Sequence, residues 1–276
     1  MTPLMVILGV LAVMGATMAA AWACQRAAGN SGWIDVFWTF GTGLTGAAAA
    51  LLPFEGGARQ WLVAGIVFAW SLRLGGYIAK RVAGAEHEDA RYLRFREEWG
   101  ADYQRKLLGF VLPQAAVTAL LCISIYVAAH RPQLGLDIRD WLGVAILLIA
   151  IGGESLADAQ LARFKRSNPQ KGAIHDRGLW AWSRHPNYFF EWFGWLAYPV
   201  MALDPVRPVT WATLIAPVVM YLVLRFVTGV KPTEETMLAS RGDAFRDYQR
   251  RTSAFFPFPP DMELPHDARR RRPAGL

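Results

Sequence analysis

The chain has 276 residues, 54% of them hydrophobic, and its mean hydropathy is +0.21. Several apolar runs reach the roughly 20 residues that span a bilayer as a helix, which excludes an ordinary soluble domain. The net charge of +7 does not indicate nucleic acid binding, because the basic residues lie between those runs. Two cysteines exclude a disulfide framework and a thiolate zinc cluster, and no metal site is predicted.

The apolar pattern predicts an all-α integral membrane protein of about seven transmembrane helices. The first run, from Pro3 to Ala23, lacks a basic leader and is longer than the core of a signal peptide, so we interpret it as a span. The sixth run is short and contains Pro199. In chain order the predicted spans are residues 3–23, 33–52, 60–80, 107–128, 141–163, 187–203 and 209–228.

Basic residues are distributed unequally between the predicted loops. The loops after spans one, three and five and the tail beyond Thr228 hold 23 of the 29 Lys and Arg residues, counting Lys80 and Arg163 at adjoining helix ends. Because basic residues accumulate in cytoplasmic loops, the N-terminus is expected outside and the C-terminus in the cytoplasm. The Arg269–Arg272 run predicts a disordered tail near anionic lipid.

Gly41-Thr-Gly-Leu-Thr-Gly46 fits the G-x-G-x-x-G pattern of dinucleotide-binding folds. That fingerprint needs a preceding strand and a helix N-terminus, whereas these glycines fall inside an apolar run. Small residues at this spacing let helices approach closely in a bilayer. We therefore interpret the motif as helix packing.

Ionisable residues inside the predicted spans are candidates for chemistry, because charge at membrane depth is costly. Asp35 lies one turn into span two, and Arg73 and Tyr77 share one face of span three. A buried, protonated Asp35 could donate a hydrogen bond to a ketone oxygen. The alternative, of equal weight on the residues alone, is that Asp35 pairs with Arg73 and only joins two helices.

The end of span five carries Glu154, Asp158 and Lys165 at offsets that put all three on one helical face. Two acids and a base at the mouth of a span suit a polar ligand that has hydroxyl or amide donors and phosphates. Snorkelling salt bridges are the alternative, and they fit Lys165 better than Asp158.

The densest polar motif is Ser183-Arg-His-Pro-Asn-Tyr188, followed by Glu191. Pro186 is expected in the first turn of a helix, which gives Asn187 and Glu191 a common face beside Arg184 and His185. Free N–H groups at such a helix start suit a phosphate or a carboxamide. A lone histidine is usually structural, but within this motif we favour a ligand contact for His185.

The C-terminal tail is expected to open a helix at Lys231-Pro-Thr-Glu-Glu, and its aromatic residues are interleaved with charged ones. A charged tail is usually a solvated anchor. Here the spacing suggests that the tail folds back and caps a pocket through Phe245, Tyr248, Phe255 and Phe256.

On these residues the chain resembles the steroid 5α-reductase family, most closely its bacterial branch. The resemblance covers residues 30 to 258, nearly the whole chain. Its motifs are Asn30…Asp35-x-x-Trp38, Leu72-Arg73…Tyr77…Arg81, Glu88-Asp-x-Arg-Tyr92, Asp158…Lys165, Ser183-Arg-His-Pro-Asn-Tyr188…Glu191 and Arg246-Asp-Tyr248.

The resemblance implies a single reductase domain in a bacterial inner membrane. Residues 1–128 would enclose a cavity for a lipophilic, steroid-like substrate, residues 141–260 would bind NADPH, and residues 261–276 would form a basic tail. Asp35 takes the place of the family's catalytic glutamate, but Trp70 stands where animal members have a catalytic tyrosine, so Tyr77, Arg73 or Trp70 could be the second donor. The cofactor-binding residues predicted from the pattern and the resemblance are Arg81, Arg91, Tyr92, Glu154, Asp158, Lys165, Lys171, Arg184, His185, Asn187, Tyr188, Glu191, Glu235 and Tyr248.

The expected reaction is NADPH-dependent reduction of the C=C bond of an α,β-unsaturated ketone. The nearest rival is an S-adenosylmethionine-dependent methyltransferase of the isoprenylcysteine type, which shares the Arg-His-Pro-x-Tyr element and an acidic tail pattern. Asp35, Arg73 and Glu88-Asp89 favour the reductase. A transporter or scaffold would explain Asp35 and Arg73 but not the motifs at the ends of the spans. No obligate protein partner is evident.

Overall fold

A computed structural model describes residues 2–85, 88–133, 135–167 and 172–261. Within these ranges the chain is all-helical and contains no strand. The basic run Arg269–Arg272 lies outside them. The α-helices are α1 (Pro3–Ala28), α2 (Trp33–Leu51), α3 (Ala58–Ala83), α4 (Ala90–Trp99), α5 (Tyr103–Val111), α6 (Pro113–Ala129), α7 (Ile138–Ser167), α8 (Leu179–Trp182), α9 (Pro186–Gly194), α10 (Ala197–Ala202), α11 (Ile215–Leu222), α12 (Val230–Arg241) and α13 (Asp243–Arg251).

Five helical stretches of the described chain are long and apolar enough to cross a membrane, which makes the chain a multi-pass membrane protein. They contain the first, third, fourth, fifth and seventh predicted spans. The second predicted span is the separate helix α2, which is not among the five. The five stretches are Pro3–Ala28, Ala58–Ala83, Arg91–Ala129, Ile138–Ser167 and Pro208–Arg241.

The sixth predicted span is divided into two short helices, α9 and α10, with Trp195 and Leu196 between them. Proline has no N–H and is tolerated only near the start of a helix. The new helix begins at Ala197, so Pro199 stands in its first turn. The apolar run at 187–203 is therefore helical but not one continuous helix.

The glycines of the Gly41–Gly46 motif lie inside α2, as the packing interpretation predicts. A Cβ at Gly41 would lie 2.9 Å from the Met14 sulfur of α1, and one at Gly46 would lie 3.0 Å from Ile125 of α6. A Cβ at Gly43 would overlap Ser71 of α3. The absence of a side chain at each glycine therefore lets a different neighbouring helix approach α2 closely. This places α2 at the centre of the N-terminal part of the fold.

The C-terminal tail folds back against the start of α9. Phe255 and Phe256 pack edge-to-face against Phe189 and Trp192, with ring centroids 5.3 to 6.3 Å apart. The Ser183 hydroxyl donates to the Phe255 carbonyl at 2.9 Å. The predicted return of the tail is confirmed.

We predict that Gly43→Ala lowers the thermal stability of the detergent-purified protein, because the new methyl group would overlap Ser71. Overpacking of this kind costs about 1–3 kcal/mol. Gly65→Ala on α3 is the matched control, since nothing lies within 4 Å of a Cβ there. Adding Ser71→Gly to Gly43→Ala should restore part of the stability. Equal melting temperatures for the two single variants would contradict the packing role.

Candidate functional site

Arg73 lies at the centre of a buried ionic cluster between α3 and α7. Its guanidinium contacts the Glu154 carboxylate at 2.6 Å and the Asp158 carboxylate at 2.8 Å. Tyr77, one turn along α3, has its ring centroid 5.7 Å from the Arg73 guanidinium. The predicted acidic face of α7 is therefore filled by Arg73, and the alternative pairing of Arg73 with Asp35 is wrong.

Asp35 belongs to a second cluster, at the N-terminal end of α2. Its carboxylate accepts hydrogen bonds from the Arg91 guanidinium at 2.8 Å and from the Tyr92 hydroxyl at 3.1 Å. Tyr92 is buried, and both donors belong to the segment after α3 that sequence reasoning assigned to a basic loop. These two contacts place Asp35 beside the basic segment. As placed, Asp35 is an acceptor with two donors.

Asp89 fixes the position of Arg91. It caps α4 by accepting from the Arg91 backbone N–H and also binds the Arg91 side chain at 3.0 Å. Burial raises the pKa of Asp89, but Arg91 more than offsets this and holds the pKa below its usual value. A carboxyl with a lowered pKa stabilises the fold above its ordinary pKa, and this contribution is lost as the pH falls through the folded-state pKa.

Glu191 of α9 is buried between two indoles. It accepts a hydrogen bond from Trp70 at 2.8 Å and one from Trp195 at 3.1 Å. The three side chains and Glu154 line a cavity of only about 10 Å³, room for roughly one water. The Trp70 N–H, predicted as a possible ketone donor, is directed to Glu191 in this structure.

Cations gather at the ends of α3, α7 and α12. Arg81 is half exposed, and its nearest carboxylate, on Asp89, is 3.9 Å away. Lys165 is exposed and lies within electrostatic range of both Arg81 and Arg241. Asp89 and Asp158 also act on Lys165, and phosphate binding by Arg81 and Lys165 stays a prediction. Lys171, also predicted as a contact, lies outside the described residues.

Arg184 and His185 bind the tail of the chain itself. The Arg184 guanidinium is bidentate on Glu234, at 2.8 and 3.1 Å, and donates to the carbonyls of Gln249 and Thr252. His185 Nε2 lies 3.1 Å from Glu234. Burial lowers the pKa of His185, although the hydrogen bond and the charge of Glu234 oppose this. Both predicted ligand contacts are occupied by protein partners.

Asn187 and Tyr188 begin α9, where Pro186 takes the first helical position as expected. The Asn187 amide donates to Asp158 at 3.5 Å, and its buried Oδ1 has no hydrogen-bond partner within the part of the chain that the structure describes. Tyr188 stacks on His185 and its hydroxyl lies 3.4 Å from that of Thr233. A buried acceptor normally has a donor, and a ligand N–H could supply the one that Asn187 Oδ1 lacks.

Tyr248 and Glu235 both contact other parts of the chain. The buried Tyr248 hydroxyl donates to the Trp180 carbonyl at 2.5 Å, and burial raises its pKa. Glu235 forms an exposed ion pair with Arg94 of α4 at 2.5 Å. In this structure both predicted contacts have protein partners, Tyr248 in the interior and Glu235 at the surface.

Sequence reasoning missed two partners of the predicted residues. Trp195 completes the Glu191 site, and Glu234 completes the Arg184 site. For Trp195 the i, i+4 spacing from Glu191 was a usable signal. Glu234 is 50 residues from Arg184 in sequence, and only its acidic character and helix-start position were visible.

Residues 21–252 match the family described as "Protein of unknown function (DUF1295)". The match begins within α1 and ends just after α13, so it includes each of the clusters described above. No curated protein and no solved structure matches the chain. The comparisons therefore define a family and assign no activity to it.

We predict that Glu234→Ala releases the tail. Loss of Glu234 leaves the Arg184 guanidinium, only 9% exposed, without its carboxylate, and breaking a buried pair in this way costs roughly 3 kcal/mol or more. The melting temperature should fall and limited proteolysis should cut the tail sooner. Glu235→Ala is the matched control, because its pair with Arg94 is more than 40% exposed and such pairs contribute little. Equal effects of the two substitutions would refute the role of Glu234.

Proposed function

The chain belongs to the DUF1295 family, and we propose that it is a membrane-embedded oxidoreductase that uses NADPH to reduce the C=C bond of an α,β-unsaturated ketone. Its substrate would be lipophilic and steroid-like, as the resemblance to the steroid 5α-reductase family implies. Residues 1–128 would hold the substrate and residues 141–260 the cofactor.

The observation that carries the proposal is the open Asn187 Oδ1 beside Asp158, with exposed cations at the same end of the helices. A dinucleotide has the complementary groups. Its amide and hydroxyls can donate hydrogen bonds to these acceptors, and its phosphates can pair with the cations. The residues present therefore fit such a group. NADPH, when bound, supplies the hydride.

Four side chains would hold the nucleotide. Asn187 Oδ1 would accept from a carboxamide N–H, and Asp158 would accept from a hydroxyl. Arg81 and Lys165 would neutralise phosphates at the exposed end of the site. Arg73 keeps the Asp158 carboxylate in place through their 2.8 Å contact.

The Asp35 cluster would act on the substrate ketone. Tyr92 donates a hydrogen bond to Asp35 Oδ1, and Arg91 donates one to Oδ2. A ketone oxygen would therefore have to replace Arg91 at Oδ2. A protonated Asp35 would then donate to the ketone while it still accepts from Tyr92. Donors placed where negative charge develops are among the strongest contributions to catalysis.

We predict that Asp35→Ala lowers the rate of steroid-dependent NADPH oxidation roughly 10²–10³-fold, the usual effect of removing one such donor. The assay is NADPH oxidation with a 3-oxo-Δ4 steroid in detergent. Asp89→Ala is the control, because Asp89 shares Arg91 but would not touch the ketone. If both substitutions lower activity and melting temperature equally, Asp35 only positions Arg91 and the catalytic assignment fails.

We predict that NADPH raises the melting temperature of the purified protein, since a ligand that binds only the folded state stabilises it. Asp158→Ala and Asn187→Ala should reduce that rise, whereas Asp102→Ala, at an exposed position on another segment, should not. A rise with S-adenosylmethionine and none with NADPH would favour the methyltransferase and overturn the reductase. A normal NADPH response in both site variants would mean that the nucleotide site is misplaced.

We propose that the chain crosses a bacterial inner membrane seven times, with α2 and the α9–α10 segment as the two additional crossings. The unequal distribution of basic residues supports an outside N-terminus and a cytoplasmic C-terminus. Reporter fusions at Leu276 and beside Arg131 should therefore report opposite sides of the membrane. Reporters on one side would contradict this topology.

A further inference from the structure

A cavity of about 620 Å³ lies beside the C-terminal half of α7, on the face that points away from the Arg73 cluster. Leu156, Ala159 and Arg163 line it and are exposed, whereas Glu154 and Asp158 of the same helix are buried against α3 and α9. Its volume is in the range of small-molecule sites. The cavity therefore belongs to neither of the clusters assigned above.

The exposed face of α7 that carries this cavity changes from apolar to cationic along the helix, and of this face Leu156 and Arg163 line the cavity itself. Ile149, Gly152, Leu156 and Arg163 are separated by three, four and seven residues, so they form one stripe on one face. Ile149 and Leu156 are 57% and 51% exposed, which is expected for side chains that face lipid tails. The stripe thus runs from the apolar middle of a membrane-spanning stretch to a guanidinium at its end.

The segment 174–178, which also lines the cavity, supplies a second cation and an imidazole. Arg177 lines the cavity and is exposed. The His175 ring stacks on Phe164, with centroids 4.7 Å apart, and its buried Nε2 has no hydrogen-bond partner among the residues that the structure describes. Asp176 also lines the cavity, but its carboxylate is 3.5 Å from the Arg251 guanidinium.

We propose that this cavity binds the headgroup of an anionic phospholipid. The phosphate would lie between Arg163 and Arg177, with His175 Nε2 as a further hydrogen-bond partner, and an acyl chain would follow the Leu156 stripe. Basic pockets at the ends of membrane helices bind anionic headgroups in this way. A free phosphate would use the cations but not the apolar stripe, which is why we favour a lipid.

The test is native mass spectrometry after reconstitution into vesicles of equal phosphatidylglycerol and phosphatidylcholine. The parent protein should retain phosphatidylglycerol preferentially after transfer to detergent. The double variant Arg163→Gln/Arg177→Gln should retain roughly tenfold less, a difference of about 1.4 kcal/mol. His175→Phe keeps a ring against Phe164 and should show a smaller loss.

Arg105→Gln is the matched control, because Arg105 is 80% exposed and lies on another segment. Retention of phosphatidylglycerol by the double variant at the parent level would overturn the proposal, as would equal retention of both lipids by the parent. Displacement of the lipid by glycerol phosphate at equal concentration would indicate a soluble phosphate ligand instead. NADPH should raise the melting temperature of the double variant as much as that of the parent protein. This test and the test of the reductase can therefore fail independently.

Discussion

The partly buried Arg73 guanidinium is the constraint on which the site depends. A charge within a membrane-spanning helix is tolerated only when it is paired. Arg73 meets Glu154 and Asp158, and this fixes the distance and rotation of α7 relative to α3. Asp158 is thereby placed beside Asn187, and Trp70, three residues before Arg73, reaches Glu191. One ionic contact thus joins the N-terminal helices to the segment that carries the candidate nucleotide site.

The polar motif around Arg184 is used mainly by the protein itself. Arg184 and His185 bind Glu234, and the buried Tyr248 hydroxyl donates a hydrogen bond to a backbone carbonyl. These contacts hold α12 and α13 against the start of α9, where buried polar groups must find partners. Among the residues that the structure describes, the Asn187 side-chain carbonyl at the start of α9 is buried without a hydrogen-bond partner. A dense polar motif therefore serves mainly to hold the C-terminal helices, and Asn187 is the member on which the proposed nucleotide site depends.

Periodicity and local spacing predicted much of the fold. The apolar runs located the long helices, Pro186 marked the start of α9, and the Gly41–Gly46 spacing indicated close helix packing. The common face of Glu154 and Asp158 follows from helix geometry alone. The interruption of the sixth run was not predicted, because hydropathy measures composition and does not register a break such as that at Trp195.

The sequence by itself determined which residues are candidates, because ionisable groups in apolar runs and helix-start motifs are visible locally. Only the tertiary structure decided their partners. Asp35 and Arg91 are 56 residues apart in sequence. Judged from the sequence alone, Arg73 and Arg91 are equally suitable ion-pair partners for Asp35. The choice was made by packing: α7 supplies two acids to Arg73, and the cap at Asp89 places Arg91 over the end of α2. Long-range pairing depends on how helices are arranged, which local spacing does not encode.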